Sequence, residues 1–240
     1  MRVEVTILAA GAGSRMRSDK PKVLQSLAGR TLLDHLLSAV DGLNPNVIHI
    51  VVGEGAEMVK AAVSHRADVN FVYQQKRLGT GHAMQQVVSH LQDDSRVVIL
   101  LGDCPLVQTT TLQKLCENPA KLVVLSVDRD DPSGFGRILR SETGSVQAIV
   151  EERDAADVVR NIREINTGVM VADVGPLKHW LSLLSDDNAQ GEFLLTDIVS
   201  HANATGFEVA VDKTLDQVQV AGVNNYTQLA ELERAFQNEQ

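Results

Sequence analysis

The 240-residue sequence has only two cysteines, Cys104 and Cys116, and neither sits at a zinc-binding spacing from the other. Neither a disulfide framework nor a structural metal is therefore implied, and reduced thiols in a cytoplasm are the expected setting. No apolar run approaches the roughly 20 residues that a membrane-spanning helix needs. The first apolar stretch is broken by Glu4, so it does not have the pattern of a signal peptide. Positive charge is also in short supply. With 22 Lys and Arg against 31 Asp and Glu, the net charge is −9, which argues against a nucleic-acid partner, since backbone phosphates call for a broad basic surface. There is no internal repeat and no low-complexity segment, and a 44% hydrophobic composition suffices for one large core or a core with a small added lobe.

What the chain does have is concentrated in its first 22 residues. Val3 to Leu8 is aliphatic and β-branched, as in a buried parallel strand. It runs into Leu8-Ala9-Ala10-Gly11-Ala12-Gly13-Ser14-Arg15-Met16, closed by Lys20-Pro21-Lys22. Gly11 and Gly13 let the backbone turn sharply and bring N–H groups against a ligand. Arg15, Arg17, Lys20 and Lys22 place four cations within eight residues, offset only by Asp19. Arginine offers a planar fork to phosphate oxygens and lysine a mobile point charge, so the segment reads as a polyphosphate loop. The third glycine of a dinucleotide fingerprint is missing, since Met16 stands there, and no Gly-Lys-Ser/Thr follows as a Walker loop requires. The plain alternative is an ordinary strand-to-helix turn with a solvated basic patch. The added Arg and Lys at fixed distances favour the phosphate reading.

Beyond the loop, strands and helices alternate. Strands are predicted at Val3–Leu8, Val47–Val52, Val69–Tyr73, Val97–Leu101 and Leu122–Val127, with helices at about Leu32–Val40, Ala56–Ser64, Gly81–Leu91 and Thr110–Glu117. This pattern predicts an α/β fold, a mostly parallel sheet with helices on both faces and a ligand crevice beyond the carboxyl ends of its strands. From about Pro132 the texture changes to short strands at Arg137–Leu139, Val146–Val150, Gly168–Ala172 and Glu208–Val211, with helices at Gly175–Leu184 and Leu195–Ala204. We read this part as a second, ligand-binding portion built onto the same sheet.

Asp103 follows the buried strand Val97–Leu101, which puts its carboxylate at the mouth of the crevice. A carboxylate beside a triphosphate needs a cation between them, and Mg²⁺ suits oxygen ligands and phosphates. The competing reading makes Asp103 a turn residue that caps a backbone N–H before Pro105. Gln74 and Gly79-Thr80 lie between the third strand and a helix, where the glutamine amide can read a pyrimidine edge and Gly79 permits close approach. Thr80 is equally readable as a plain helix cap. His82 is a helix residue of no assigned role.

These segments resemble the sugar-nucleotide pyrophosphorylases, whose loop reads Leu-Ala-Ala-Gly-x-Gly-Thr-Arg-Met followed by Pro-Lys. Within that family the chain is most similar to the uridyltransferase half of the bifunctional bacterial enzymes that make UDP-N-acetylglucosamine. The likeness continues through Gln74 with Leu78-Gly79-Thr80-Gly81-His82-Ala83, Gly102-Asp103-Cys104-Pro105-Leu106, Gly134-Phe135-Gly136-Arg137-Ile138, Glu164-Ile165-Asn166-Thr167-Gly168, Asn188-Ala189-Gln190-Gly191-Glu192 and Gly222-Val223-Asn224-Asn225.

The resemblance implies a Rossmann-like nucleotidyltransferase fold with a small sugar-binding β lobe. It implies one domain over 1–240, with a nucleotide portion at about 1–131, a sugar portion at about 132–225 and a C-terminal helix at about 226–240. UTP would be held by Leu8, Ala9, Ala10, Gly11, Gly13, Lys22, Gln74, Gly79, Thr80, Gly102 and Asp103. Arg15, Lys22 and Asp103 would be catalytic, and Asp103 and Asn224 would hold Mg²⁺. Gly136, Glu151, Asn166 and Thr196 would hold N-acetylglucosamine 1-phosphate. On their own, Gly136 could be a turn, Glu151 a solvated charge and Asn166 a strand-end cap.

The implied reaction is uridylyl transfer in a cytoplasmic enzyme that feeds cell-wall and peptidoglycan synthesis. Ser14, Leu101 and Tyr226 depart from the family's usual Thr, Tyr and Arg. No hexapeptide repeat of a left-handed β-helix occurs, so acetyl transfer is expected to be absent and the chain to be a monomer or weak oligomer. Two rivals stay open. One is transfer to another sugar or polyol phosphate, and the other is a non-catalytic nucleotide-sugar sensor.

Overall fold

The computed structural model describes residues 2–11, 16 and 18–238. The chain opens with strand β1 (Arg2–Leu8), passes through a turn at Lys22–Leu24 and a small hairpin, β2 (Ser26–Leu27) and β3 (Arg30–Thr31), and enters helix α1 (Leu32–Asp41). Thr31 starts α1 with a capping box: its hydroxyl accepts from the Asp34 N–H, and the Asp34 carboxylate accepts from the Thr31 N–H. Then follow β4 (Val47–Val52), α2 (Ala56–Ala62), β5 (Val69–Tyr73), α3 (Thr80–Val87), β6 (Ser95–Leu101), α4 (Thr109–Glu117) and β7 (Leu122–Asp128). The second part holds β8 (Arg137–Arg140), β9 (Val146–Val150), α5 (Asp157–Arg160), β10 (Glu164–Asp173), α6 (Val174–Ser182), α7 (Ile198–Ala204), β11 (Val209–Thr214) and α8 (Tyr226–Asn238).

Among the described residues the main sheet has nine strands, in the order β11-β7-β10-β6-β1-β4-β5, with β8 and β9 attached through β10. Pairing is parallel for β1 with β4 and β6, for β4 with β5, and for β11 with β7. Strand β10 runs antiparallel to both of its neighbours, β6 and β7. The predicted mostly parallel sheet is thus observed.

Alternation along the strands divides the core in two. Val98 and Leu100 of β6 and Val123 and Leu125 of β7 face α1, α2 and α4. Their neighbours Val97, Ile99, Leu122 and Val124 face α3, α6 and α7, with Trp180 fully buried among them. A third cluster joins Met16, Leu27 and Leu32 to Val223, Leu229 and Leu232, and so seats α8 beside the start of the chain.

Most elements differ from the sequence reading by one to three residues at an end, as where β6 starts at Ser95 and β11 ends at Thr214, and three differences have a visible cause or form. The strand predicted at Gly168–Ala172 starts at Glu164, because that charged residue is neutralised inside the sheet by two bonds from Arg140 at 2.8 Å and one from the Ser126 hydroxyl at 2.7 Å. The helix predicted at Gly81–Leu91 ends at Val87 and tightens into a 3-10 turn at Val88–His90, after which the Gln92 N–H meets the buried Glu4 carboxylate at 2.9 Å. The helix predicted at Leu195–Ala204 begins with a 3-10 turn at Leu195–Asp197. The β2–β3 hairpin and α5 were not anticipated.

Candidate active site

Strands β1, β4, β5 and β6 end at one rim, and a cavity of about 330 Å³ opens there. All the described residues assigned to the nucleotide line it: Leu8, Ala9, Ala10, Gly11, Lys22, Gln74, Gly79, Thr80, Gly102 and Asp103. Gly13 and Arg15 lie outside the described residues. The rim is drawn tight by backbone bonds, Ala9 N donating to Val51 O and Gly102 N to Leu8 O, both at 2.9 Å. A Cβ on Gly102 would lie 2.7 Å from Val23 Cγ1 and 3.0 Å from Leu8 O, so glycine lets the Asp103 turn press against the loop after β1.

Asp103 does not cap the turn before Pro105. Its Oδ2 accepts from Lys22 Nζ at 2.5 Å, and the same ammonium donates to Asn224 Oδ1 at 3.0 Å. Lysine, carboxylate and amide come from segments far apart in sequence, and the fold converges them on one point. The Asp103 carbonyl accepts the Val223 N–H at 2.9 Å, and the Asn224 N–H donates to Gln228 Oε1 at 2.8 Å, so the loop is fixed at these two successive residues just before α8. Burial and the neighbouring Asp103 charge push the Cys104 thiol well above its ordinary range, which keeps it neutral.

The two oxygens fit Mg²⁺: both already accept from a cation, both are hard donors, and a carboxylate plus an amide leaves coordination sites for water and phosphate. Among the described residues no group of three His, Cys, Asp or Glu forms a closed metal cage.

Gln74 Nε2 donates to Gly79 O at 3.0 Å and meets His82 Nδ1 at 3.0 Å. Since the Gly79 carbonyl can only accept, the amide nitrogen must face it, and Oε1 is left as an acceptor. Thr80 is not the helix cap; Gly79 holds that position, and the Thr80 hydroxyl accepts the Leu195 N–H at 3.1 Å. His82, without a role in the sequence, thus orients Gln74, a contact that spacing alone could not reveal. Arg77 and Glu192 also line the cavity. Arg77, paired with Glu54 at 2.6 Å, was missed although it lies between Gln74 and Gly79; Glu192 belongs to a quoted motif but had been given no role.

Gly136, Glu151, Asn166 and Thr196 form a second group. Asn166 N donates to Gly136 O at 2.8 Å, and the Thr196 hydroxyl donates to Glu151 Oε1 at 3.0 Å. A Cβ on Gly136 would lie 3.3 Å from Glu151 Oε1. Glu151 is not a solvated charge: burial pushes its carboxyl above the usual range, the Thr196 hydroxyl opposes this, and Asp197 and Asp154 add to it. Asn166 lies inside β10 rather than at its end, at an irregularity in the pairing, where its Oδ1 accepts the Gly168 N–H at 3.0 Å.

None of the four lines the first cavity. They adjoin it through Leu195 on Thr80 and through Leu101, a cavity residue that packs where a Cβ on Gly168 would come within 2.3 Å of its Cδ1. Tyr226 is exposed at the start of α8.

The chain is 48% identical over 239 residues to the Bifunctional protein GlmU of Saccharophagus degradans, covering 99% of this chain and 52% of that protein. The GlmU protein of Bordetella petrii is 48% identical over 242 residues, covering 99% and 53%. The chain therefore spans about half the length of the curated relatives it matches. Among solved structures, a UDP-glucose pyrophosphorylase complexed with UDP-glucose superposes with a TM-score of 0.79 at 14% identity, covering all of both chains. The inositol-1-phosphate CTP transferase of T. maritima gives 0.74 at 20% identity, covering 96% of this chain and 94% of that one. Both share the Rossmann-like nucleotidyltransferase fold. The profile of the MobA-like NTP transferase domain matches residues 5–168, from the middle of β1 into β10, which takes in Lys22, Gln74 and Asp103. The chain belongs to that family of nucleotidyltransferases and is homologous to the nucleotidyltransferase domain of the GlmU proteins.

Proposed function

We propose that the chain transfers UMP from UTP to N-acetylglucosamine 1-phosphate, releasing pyrophosphate and forming UDP-N-acetylglucosamine. The observation that carries this reading is the meeting of Lys22, Asp103 and Asn224 at the edge of the cavity that Gln74 and the loop after β1 line. The sugar phosphate is already an anionic nucleophile, so its oxygen attacks the α-phosphorus in line and needs no general base. The chain must instead hold two anions together and stabilise charge on the leaving pyrophosphate. Mg²⁺ on Asp103 and Asn224 supplies neutralisation of both phosphates when bound. The N–H groups after β1, together with Arg15, hold the β- and γ-phosphates, and Lys22 meets the α-phosphate or the incoming phosphate.

Gln74 supports uracil. Its Oε1, which has no hydrogen-bond partner among the described residues, accepts from a ring N3–H, which uracil has and cytosine lacks. Glu151, Asn166 and Thr196 hold the sugar hydroxyls, with Gly136 admitting the acetamido group. We assign residues 1–131 to the nucleotide and 132–225 to the sugar. Among the described residues no helix is long and apolar enough to cross a membrane, and we place the enzyme in the cytoplasm.

The test is magnesium-dependent pyrophosphate release from UTP with N-acetylglucosamine 1-phosphate, beside CTP, glucose 1-phosphate and N-acetylgalactosamine 1-phosphate. Release confined to the first pair is expected. Release with another pair moves the specificity, and none with any pair refutes the proposal.

A further inference from the structure

The Lys22 ammonium lies 2.5 Å from Asp103 Oδ2 and 3.0 Å from Asn224 Oδ1, the two oxygens that the proposed reading gives to Mg²⁺, on which this inference rests. We propose that Lys22 is a tethered competitor of the metal. Its ammonium and a divalent cation hold the Asp103–Asn224 pair in turn, and metal entry frees the lysine to reach phosphate.

Two cations cannot share this place. Mg²⁺ sits about 2.0–2.1 Å from its oxygen ligands, so an ion bound to both side chains would occupy the hole that Nζ fills, and the like charges would repel. The question is then which part yields. Asp103 is fixed through Gly102, wedged against Val23 and Leu8, and through its own carbonyl on the Val223 N–H. Asn224 is fixed by its N–H on Gln228. The backbone of Lys22 is also held, in the turn where Gln25 N donates to Lys22 O at 3.0 Å, but its four methylenes turn freely. The lysine side chain is the mobile partner.

Its destination follows from the surroundings. Among the described residues no other acceptor holds the Lys22 ammonium, and the side chain lines the 330 Å³ cavity. Once displaced, the ammonium meets solvent or the oxygens of a ligand there. Phosphate in the cavity stabilises the displaced position and so strengthens metal binding, and by reciprocity the metal strengthens phosphate binding. The lysine thereby disfavours bare metal and favours metal that arrives with nucleotide.

The experiment is Mn²⁺ binding to substrate-free protein, read by the electron paramagnetic resonance of free Mn²⁺, for wild type, Lys22→Met, Asp103→Asn and the double variant. Removal of the competitor is expected to tighten Mn²⁺ binding about tenfold, the scale of one partly buried ion pair, and Asp103→Asn is expected to abolish that gain. Equal or weaker binding in Lys22→Met, including none in either protein, overturns the competitor. If Asp103→Asn binds Mn²⁺ as the wild type does and the double variant as Lys22→Met does, the metal assignment falls as well.

A second readout needs no variant. Reductive methylation of wild-type protein, followed by peptide mass spectrometry, is expected to label Lys22 faster when Mg²⁺ is added, while exposed Lys20 stays constant. An unchanged Lys22 rate counts against the competitor.

Discussion

Replacement of Gly79 by alanine probes how the two halves of the crevice are held together. Gly79 has φ 106° and ψ 174°, a region that only glycine populates readily. An alanine forced into it costs ~1–3 kcal/mol. The new methyl would also lie 2.4 Å from Phe193 O and 3.0 Å from Phe193 N, backbone atoms that cannot rotate aside. Those atoms are already committed, Phe193 N to Leu78 O and Gly81 N to Phe193 O, each at 2.8 Å. Relief therefore means parting the 78–81 segment from the 192–195 segment, and overpacking of this kind adds ~1–3 kcal/mol. The combined loss is ~2–6 kcal/mol. At about 2–4 °C per kcal/mol for a chain of this size, Tm should fall by at least about 4 °C.

Gly134 gives the contrast. Its φ is also positive, at 83°, but a Cβ there meets nothing within 4 Å. Gly134→Ala carries only the conformational cost, ~1 kcal/mol. Calorimetry of both variants decides the matter: a Tm for Gly79→Ala within about 1 °C of wild type, or no lower than that of Gly134→Ala, would refute the reasoning. Because the Gly79 carbonyl also orients Gln74, the surviving enzyme should show a raised KM for UTP if UTP is the nucleotide, as proposed above.

Two further outcomes are expected. Asp103→Ala should lower kcat at least about a hundredfold in the pyrophosphate assay at saturating Mg²⁺, and a variant within about threefold of wild type would remove Asp103 from the mechanism. His49 is buried against Glu4, with His90 and Asn70 beside it, and burial holds its pKa below the ordinary 6.5 although Glu4 pulls the other way. The folded chain thus binds fewer protons than the unfolded one, so this contribution to stability is full above pH 6.5 and is lost as pH falls toward the folded value. Tm should drop as pH falls below 6.5 in wild type and less steeply in His49→Asn; parallel profiles would exclude His49 as the cause.

The parallel half of the sheet was legible because β1, β4, β5, β6 and β7 are short aliphatic runs separated by amphipathic helices. Strand β10 was legible only from Gly168 onward. Its first residues, Glu164 to Thr167, read as polar, and only the fold supplies Arg140 and Ser126 to neutralise Glu164. Single site positions could be read where a strand end or a glycine fixed them, as for Asp103 and Gly79. Partners could not: the bonds from Lys22 to Asp103 and Asn224 span 81 and 202 residues, and the bond from Thr196 to Glu151 spans 45. The role of His82 was hidden for the same reason, since its value lies in the Gln74 amide that its ring meets.

The sheet order also sets a schedule for folding. Strands β1, β4 and β5 adjoin one another and are complete by Tyr73, so this half can pair as soon as it leaves the ribosome. Strand β7 is finished at Asp128 but has no place until β10, ending at Asp173, enters between it and β6, and β11, ending at Thr214, covers its other edge. A chain made only as far as β7 has an almost wholly apolar strand and, at β6, the sheet edge that β10 covers in the finished fold. Direct docking of β7 on β6 would be a trap, and the correct sheet forms only once that seat is left for a strand made later and running the other way.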